Sequence, residues 1–299
     1  MFSTSLIGIL LVDLFLIDGK YINPKPSAAL EQNFRPDATI TFLKQQPGFF
    51  RVFPLGSQLF MDNTFAYHGL HSIGGYSPAK LKIYQTMLDS CLYRGPDPEF
   101  PLNMNVVNML NTKYVLAKGR LPEDRFELVS VDQPNRILIY RNTRVLPRAF
   151  FVGNAIIARS DQEVFRIMNS AGFDASKTAI LEKPLPNPIA IPDSSYAEIS
   201  EFTSGEVAVK TYTSSPALLV LSEVYYPAGW KAYVDGIEAE ILKTNYVLRS
   251  IHMPVGSHDV VFKFEPALYK AGLSISVWSW VVVGFCTLFG YLRLRKKSL

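Results

Sequence analysis

Cysteine is scarce in this chain: Cys91 and Cys286 are its whole complement in 299 residues. Two thiols, one of them inside a long apolar run, cannot build a disulfide framework, and no C-x-x-C pair offers a metal knuckle. Histidine is almost as rare, with four residues, and only 19% of the chain is charged. A hydrophobic share of 48% excludes a disordered polypeptide. No G-x-S-x-G, P-loop or G-x-G-x-x-G occurs, so the sequence signatures of elbow hydrolases, P-loop enzymes and dinucleotide-binding folds are missing. The excess of basic residues is also small where it would matter. Residues 1–19 hold −2 and the tail after Leu292 holds +4 of a total of +4, leaving +2 across residues 20–292. No face that could track a phosphate backbone follows, and nucleic acid is not an expected partner.

What the chain does have is apolar ends. Ala271–Leu292 runs 22 residues without a charge between Lys270 and Arg293. As a helix it would be roughly 33 Å long at about 1.5 Å per residue, enough for a hydrocarbon core of about 30 Å. Trp278, Trp280 and Tyr291 lie toward its ends, where amphipathic rings favour the headgroup zone. The basic tail 293–299 places its C-terminus in the cytoplasm by the positive-inside rule. Residues 1–18 read as a second, short spanning helix. Asp13 interrupts it and no base precedes the apolar run, so it lacks the form of a cleaved signal peptide. It is expected to be the end of a longer membrane region. With both helices spanning, residues 20–270 are extracytoplasmic and contact membrane lipids only at their ends.

The intervening region is expected to be α+β with a C-terminal β-sandwich or jelly roll. Residues 19–144 form the first part: a Pro- and Phe-rich lead-in with elements near Thr39–Lys44 and Phe50–Phe53, then a helix over 78–90. Ser77 is read as its cap and Pro78 as its first helical residue. A short helix at Asn105–Leu110 and strands at Lys113–Ala117, Phe126–Val131 and Arg136–Arg141 complete this part. Residues 145–183 read as a small βαβ-like unit, with strands at Phe150–Val152, Ala155–Ala158 and Thr178–Leu181. Its helix opens on the capping box Ser160–Glu163. Residues 184–195, with Pro184, Pro186, Pro188 and Pro192, read as a stiff linker. Residues 196–266 then give seven strand patterns: 196–202, 206–213, 217–224, 230–234, 237–243, 246–252 and 258–265. Asp235-Gly236 fits a two-residue type I′ hairpin.

Residues with chemical potential are few. His68 and His71 sit three apart on a Gly-rich loop, a spacing that permits zinc but suits backbone-bonded loop histidines better. His252 and His258 flank the Pro254–Gly256 turn as exposed strand ends. Asp97-Pro98-Glu99 has the form of a metal-pyrophosphate pair, though its prolines make it read as a solvated turn. No catalytic constellation emerges, and neither cofactor nor metal is expected. The densest cluster is SEVYYPAGWKAYVDG (222–236) with NYVLR (245–249). Tyr225, Tyr226, Trp230, Tyr233 and Tyr246 could stack on sugar rings, with Asp235 or Arg249 bonding hydroxyls or a phosphate. The same rings could instead fill a core and staple the hairpin.

Several stretches carry a family resemblance: LVDLFLIDGKYIN (11–23), HSIGGYSPAKLKIYQ (71–85), NMLNTKYVLA (108–117), LPRAFFV (146–152) and LVLSEVYYPAGWKAYVDGIEAEILKTNYVLRSIHMPVGSHDVVFKFEP (219–266). In order and spacing they resemble the C-terminal part of YfhO-type bacterial membrane proteins, of the GT-C class of polytopic glycosyltransferases. The resemblance implies an extracytoplasmic module and anchor in the bacterial cytoplasmic membrane. Its partners would be a polyprenyl-phosphate-linked sugar, an envelope glycan and a preceding membrane region. Catalysis in that class is assigned to acidic residues of an early extracytoplasmic loop that has no counterpart here, so the chain alone is expected to be catalytically incomplete. Asp13 matches an Asp near the outer end of the family's preceding helix, where a packing role suffices. The alternative is a non-catalytic, membrane-tethered β domain that holds protein partners.

Overall fold

The structure is a computed structural model that describes residues 2–22 and 26–295. Five strands form the first sheet: β1 (Arg51–Pro54), β2 (His71–Ser72), β3 (Thr112–Ala117), β4 (Phe126–Asp132) and β5 (Ile137–Asn142), in the order β2-β1-β3-β5-β4. The next strands in the chain are β6 (Ala149–Val152), β7 (Asn154–Ile157), β8 (Thr178–Leu181), β9 (Ser195–Phe202), β10 (Glu206–Thr213) and β11 (Ala217–Val224). After them come β12 (Trp230–Val234), β13 (Ile237–Ala239), β14 (Leu242–Thr244), β15 (Leu248–Met253) and β16 (Gly256–Phe264). A second sheet runs β6-β11-β15-β14-β8-β7 and a third β13-β12-β16-β10-β9.

Alternation along the strands decides how these sheets stack. Leu219 and Leu221 of β11 join Ala149, Ile251 and Met253 in one buried cluster with Val207, Val209, Ala232, Val260 and Phe262 of the third sheet. Successive strand residues point to opposite faces. Leu218 and Val220 accordingly enter a different cluster, with Phe53 and Val115 of the first sheet and the helices Met104–Met109 and Asp161–Met168. The outer face of the first sheet buries Val52, Tyr114, Leu116 and Ile139 against Ile40 and Leu43 of the helix Ala38–Lys44. Asp37 caps that helix by accepting from Ile40 N at 2.8 Å.

Several local expectations hold to within a residue or two. Asp235 and Gly236 both have positive φ, 51° and 83°, as a type I′ hairpin requires. Ser160 Oγ accepts from Glu163 N at 3.2 Å, while the Glu163 carboxylate reaches Arg159 N rather than the cap residue itself. Other expectations give way. The helix expected over 78–90 begins at Lys82, because Ser77 Oγ turns onto Ala79 N instead of capping. It continues as one turn of π-helix, Leu88–Leu92, which buries Leu88, Cys91 and Leu92. The strand expected over 237–243 is split: Ile237–Ala239 lies in the third sheet and Leu242–Thr244 in the second. The strand expected from 246 starts at Leu248, since Asn245 and Tyr246 adopt positive φ in a turn held by Asn245 Oδ1 and Ile180 N at 2.8 Å.

Residues 145–183 do not stand apart. β6 pairs antiparallel with β11 through Leu218↔Val152 to Leu221↔Ala149, and β8 joins β14 at Thr244↔Leu181. The Pro-rich stretch after them lies against the second sheet, with Ala190 N donating to Pro216 O at 2.8 Å. A Cβ on Gly153 would collide with the backbone of Ala190 and Ile191. Gly153→Ala is therefore expected to cost about 1–3 kcal/mol, as overpacking against immobile atoms does. Urea unfolding of the purified chain measures it, and a change within about 0.5 kcal/mol, as at surface sites, would contradict this packing.

At the ends, Phe2–Tyr21 and Ala267–Arg295 are helices whose described apolar side chains are exposed on every side, Phe15 and Trp280 among them. Among the described residues one helix, Ala267–Gly290, is long and apolar enough to cross a membrane. Of the basic tail, Lys296 and Lys297 lie outside the described residues.

Candidate functional site

The three sheets meet at a cavity of about 680 Å³. Charge in its wall arises from single ionisable residues set in otherwise apolar strands. The ladder between β11 and β15 slips between Leu221 and Val224, placing Ser222 and Glu223 in an irregular stretch. Such irregularities re-aim side chains. Glu223 Oε1 there accepts from Arg148 Nε at 2.7 Å and from Arg51 Nη2 at 3.2 Å, and lies 2.5 Å from Arg148 Nη2. Arg51 opens β1 and is fixed by Nη1 donating to Leu110 O and Ser222 Oγ, each at 2.9 Å. Ser222 Oγ in turn donates to Met109 O at 2.7 Å. Arg249, on β15, donates from Nη2 to Val224 O at 3.0 Å, with its guanidinium 4.1 Å from the Trp230 ring centroid. Arg148 stacks in the same way over Phe202, at 5.1 Å. Planar cations on aromatic faces are favoured most where water is excluded.

The electrostatics follow from burial. Arg148 and Arg249 are 5% and 3% exposed. Burial pushes each guanidinium down to about 10, opposed in both cases by Glu223, so both stay charged at neutral pH. Burial alone would raise Glu223. Arg51, Arg148 and Arg249 together outweigh it and hold the carboxyl below its usual range. His71, on β2, takes Arg148 Nη2 as a neighbour at 3.1 Å. Burial first, then Arg148 and Arg51, lower its pKa, so its Nδ1 acts as a neutral acceptor. Three cations thus face one carboxylate. Arg148 Nη1 and Arg249 Nε and Nη1 find no acceptor among the described residues.

The residues singled out from sequence disperse. Trp230 and Arg249 line the cavity. Tyr226 lies beside Phe264, ring centroids 6.5 Å apart, in a shallow annex of about 360 Å³ that shares Trp230, Glu223 and Arg249 with the main cavity. Tyr225 is half-buried, with its N–H donating to Val247 O at 2.7 Å. Tyr233 donates to Glu265 at 3.1 Å. Asp235 holds His258 Nδ1 at 2.7 Å and accepts from Asp259 N at 2.9 Å, away from the cavity. Tyr246 belongs to the core on the opposite face, its ring 4.7 Å from that of Phe165. Arg51, Arg148 and Glu223 are not among the residues singled out from sequence, and His71, weighed there as a zinc ligand or a backbone-bonded loop histidine, instead sits on β2 beside Arg148. The available signal was a charge within an apolar run, as in FFRVFP, LPRAFFV and LVLSEVYY, since an ionised side chain enters a core only with partners.

Of the other candidates, His68 and His252 each bury an Nε2 that finds no hydrogen-bond partner among the described residues. Asp97 accepts from Arg125 Nη2 at 2.5 Å and from Glu99 N at 3.1 Å, at the rim of a second cavity of about 660 Å³. Among the described residues no group of three or more His, Cys, Asp or Glu is placed to hold a metal ion.

Residues 187–276 match the family model described as bacterial membrane protein YfhO. The match takes in β9 to β16 and the start of the C-terminal helix, and with them Trp230, Glu223 and Arg249. This part of the chain is similar to YfhO-type bacterial membrane proteins. No curated protein and no solved structure matches the chain.

Proposed function

We propose that the chain is the extracytoplasmic module and membrane anchor of a YfhO-like GT-C glycosyltransferase. In this reading it serves an enzyme that decorates cell-envelope polymers with sugar from a polyprenyl-phosphate donor, without completing the catalytic site itself. The observation that carries it is the family match over residues 187–276, which runs directly into the apolar helix Ala267–Gly290. The second and third sheets act as one β-sandwich domain, anchored by that helix and by the N-terminal helix Phe2–Tyr21 as a second span. The basic residues after Leu292 face the cytoplasm, and the cavity faces outward.

Within that frame the cavity is the place for a glycan. Trp230 forms part of its wall, and an aromatic face offers a sugar ring an apolar platform. The neighbouring guanidinium groups supply directional donors. Titration of the detergent-solubilised full chain with envelope glycans is expected to give saturable binding. Trp230→Ala should weaken it about tenfold or more, equivalent to about 1.4 kcal/mol, while the circular-dichroism spectrum is kept. No binding to any envelope glycan, together with recovery of a specific protein partner, would leave the tethered interaction module in its place.

A further inference from the structure

The chemistry of the cavity extends beyond stacking. We infer that the Arg51–Arg148–Arg249 face binds a phosphoryl group, with Trp230 placed for the moiety that carries it. This deepens the glycan reading of the same cavity and rests on it for the nature of the carrier.

Charge balance is the first support. Three guanidinium groups against Glu223 leave a local excess of two positive charges in the part of the wall where Arg148 and Arg249 are almost fully buried, while Asp62, exposed in the same lining with its carboxylate turned onto Thr64, brings the cavity as a whole to +1. Excess buried charge of one sign is costly, and the cost falls when a counter-charge enters. A carboxylate would cancel half of the excess. A phosphate monoester carries about −1.5 to −2 at neutral pH and would cancel most or all of it. His71 adds no charge, being held neutral.

Donor geometry is the second support. Glu223 and the backbone engage only part of the guanidinium hydrogens, and Arg148 Nη1 with Arg249 Nε and Nη1, all three buried, have no acceptor among the described residues. Arginine recognises phosphate through pairs of parallel N–H donors, and the fork suits tetrahedral oxyanions. Stacking on Phe202 and Trp230 fixes two of the three forks in advance, which lowers the ordering cost of binding.

Position is the third. The annex wall includes Phe264, three residues before Ala267 starts the apolar helix, and Glu265 N donates to Gly229 O at 2.5 Å beside Trp230. The cavity therefore adjoins the point where the chain leaves for the bilayer. Phosphate there could come from a soluble sugar phosphate, a lipid headgroup or the free ion.

The test is calorimetric titration of the full chain in nanodiscs of neutral lipid. The probes are inorganic phosphate, glucose 1-phosphate, glucose and glucuronate, with nanodiscs containing phosphatidic acid as a competing arm. Saturable binding of glucose 1-phosphate at least tenfold tighter than of glucose and glucuronate is expected. Arg249→Gln should weaken it at least tenfold. Equal affinity for inorganic phosphate would support the site and assign it to the free ion. Loss of the soluble signal in phosphatidic-acid discs would support it and assign the headgroup. Absence of saturable binding by every phosphate probe to a cooperatively melting wild-type chain overturns the inference, with no variant needed. So does equal or tighter binding of glucuronate. Envelope-glycan binding that survives such a result would leave the glycan reading intact.

Discussion

Replacing Glu223 by glutamine is expected to destabilise the folded chain by about 3–5 kcal/mol, because removing one member of a buried ion network strands the others. For a fold of this size that corresponds to a fall in Tm of roughly 10 °C. Glutamine keeps the shape of glutamate and one acceptor oxygen, so the loss isolates charge from volume. Arg51 and Arg148 would then face each other with no carboxylate between them. The pH dependence has a definite sign. Opposed by burial but overcome by the three arginines, the Glu223 pKa lies below its unfolded value. Its contribution is present above the ordinary glutamate pKa of about 4.3 and disappears as pH falls through the lower folded value. Wild-type melting temperatures followed by circular dichroism should fall through that acidic window. The Glu223→Gln variant, already lower at pH 7, should lose this component. A variant that melts with the wild type at neutral pH would mean that Glu223 is not the counter-ion of the cluster.

Phe262→Ala should have an effect of similar size by another route. Phe262 is fully buried between the second and third sheets, opposite Val207 of β10 and Ala232 of β12. Truncating a buried phenylalanine removes its transfer free energy and leaves a cavity, at a cost of about 3–5 kcal/mol. Urea unfolding gives the number directly. A loss below about 1 kcal/mol, less than large-to-small core changes cost, would contradict the core between these sheets. Unlike the Glu223 variant, this one should be insensitive to pH.

The contrast between the two residues shows what the sequence could reveal. Phe262 was legible: it alternates with Val260 in a run that reads as a strand, and local periodicity is enough to place it inside, although the same alternation also puts Phe264 inward and that ring is exposed at the strand end. The Asp235-Gly236 hairpin and the Ser160–Glu163 helix start were legible for the same reason, since each is settled within a few residues. Sheet membership was not. β6 pairs with β11, Val152 opposite Leu218, and nothing near residue 150 announces a partner so far along the chain. The split of 237–243 between two sheets was hidden because one apolar-polar pattern fits either sheet. The site suffered most. Arg51, Arg148 and Glu223 come from widely separated stretches and converge only when three sheets close on one another. The aromatic cluster around 222–249 drew attention by proximity in sequence, yet Tyr246 and Asp235 end on different faces from Trp230. Charge embedded in apolar runs was the better guide than aromatic density.

The bond from Glu265 to Gly229 has a mechanical corollary. A head group on a loose leash would sweep a hemisphere above the bilayer and sample ligands at many heights. Here the exit strand is pinned to the wall of the arginine pocket within a few residues of the apolar C-terminal helix. With that helix spanning the bilayer, as proposed, the pocket keeps a nearly constant altitude, like a lamp on a short bracket, and whatever it receives has to arrive at that level.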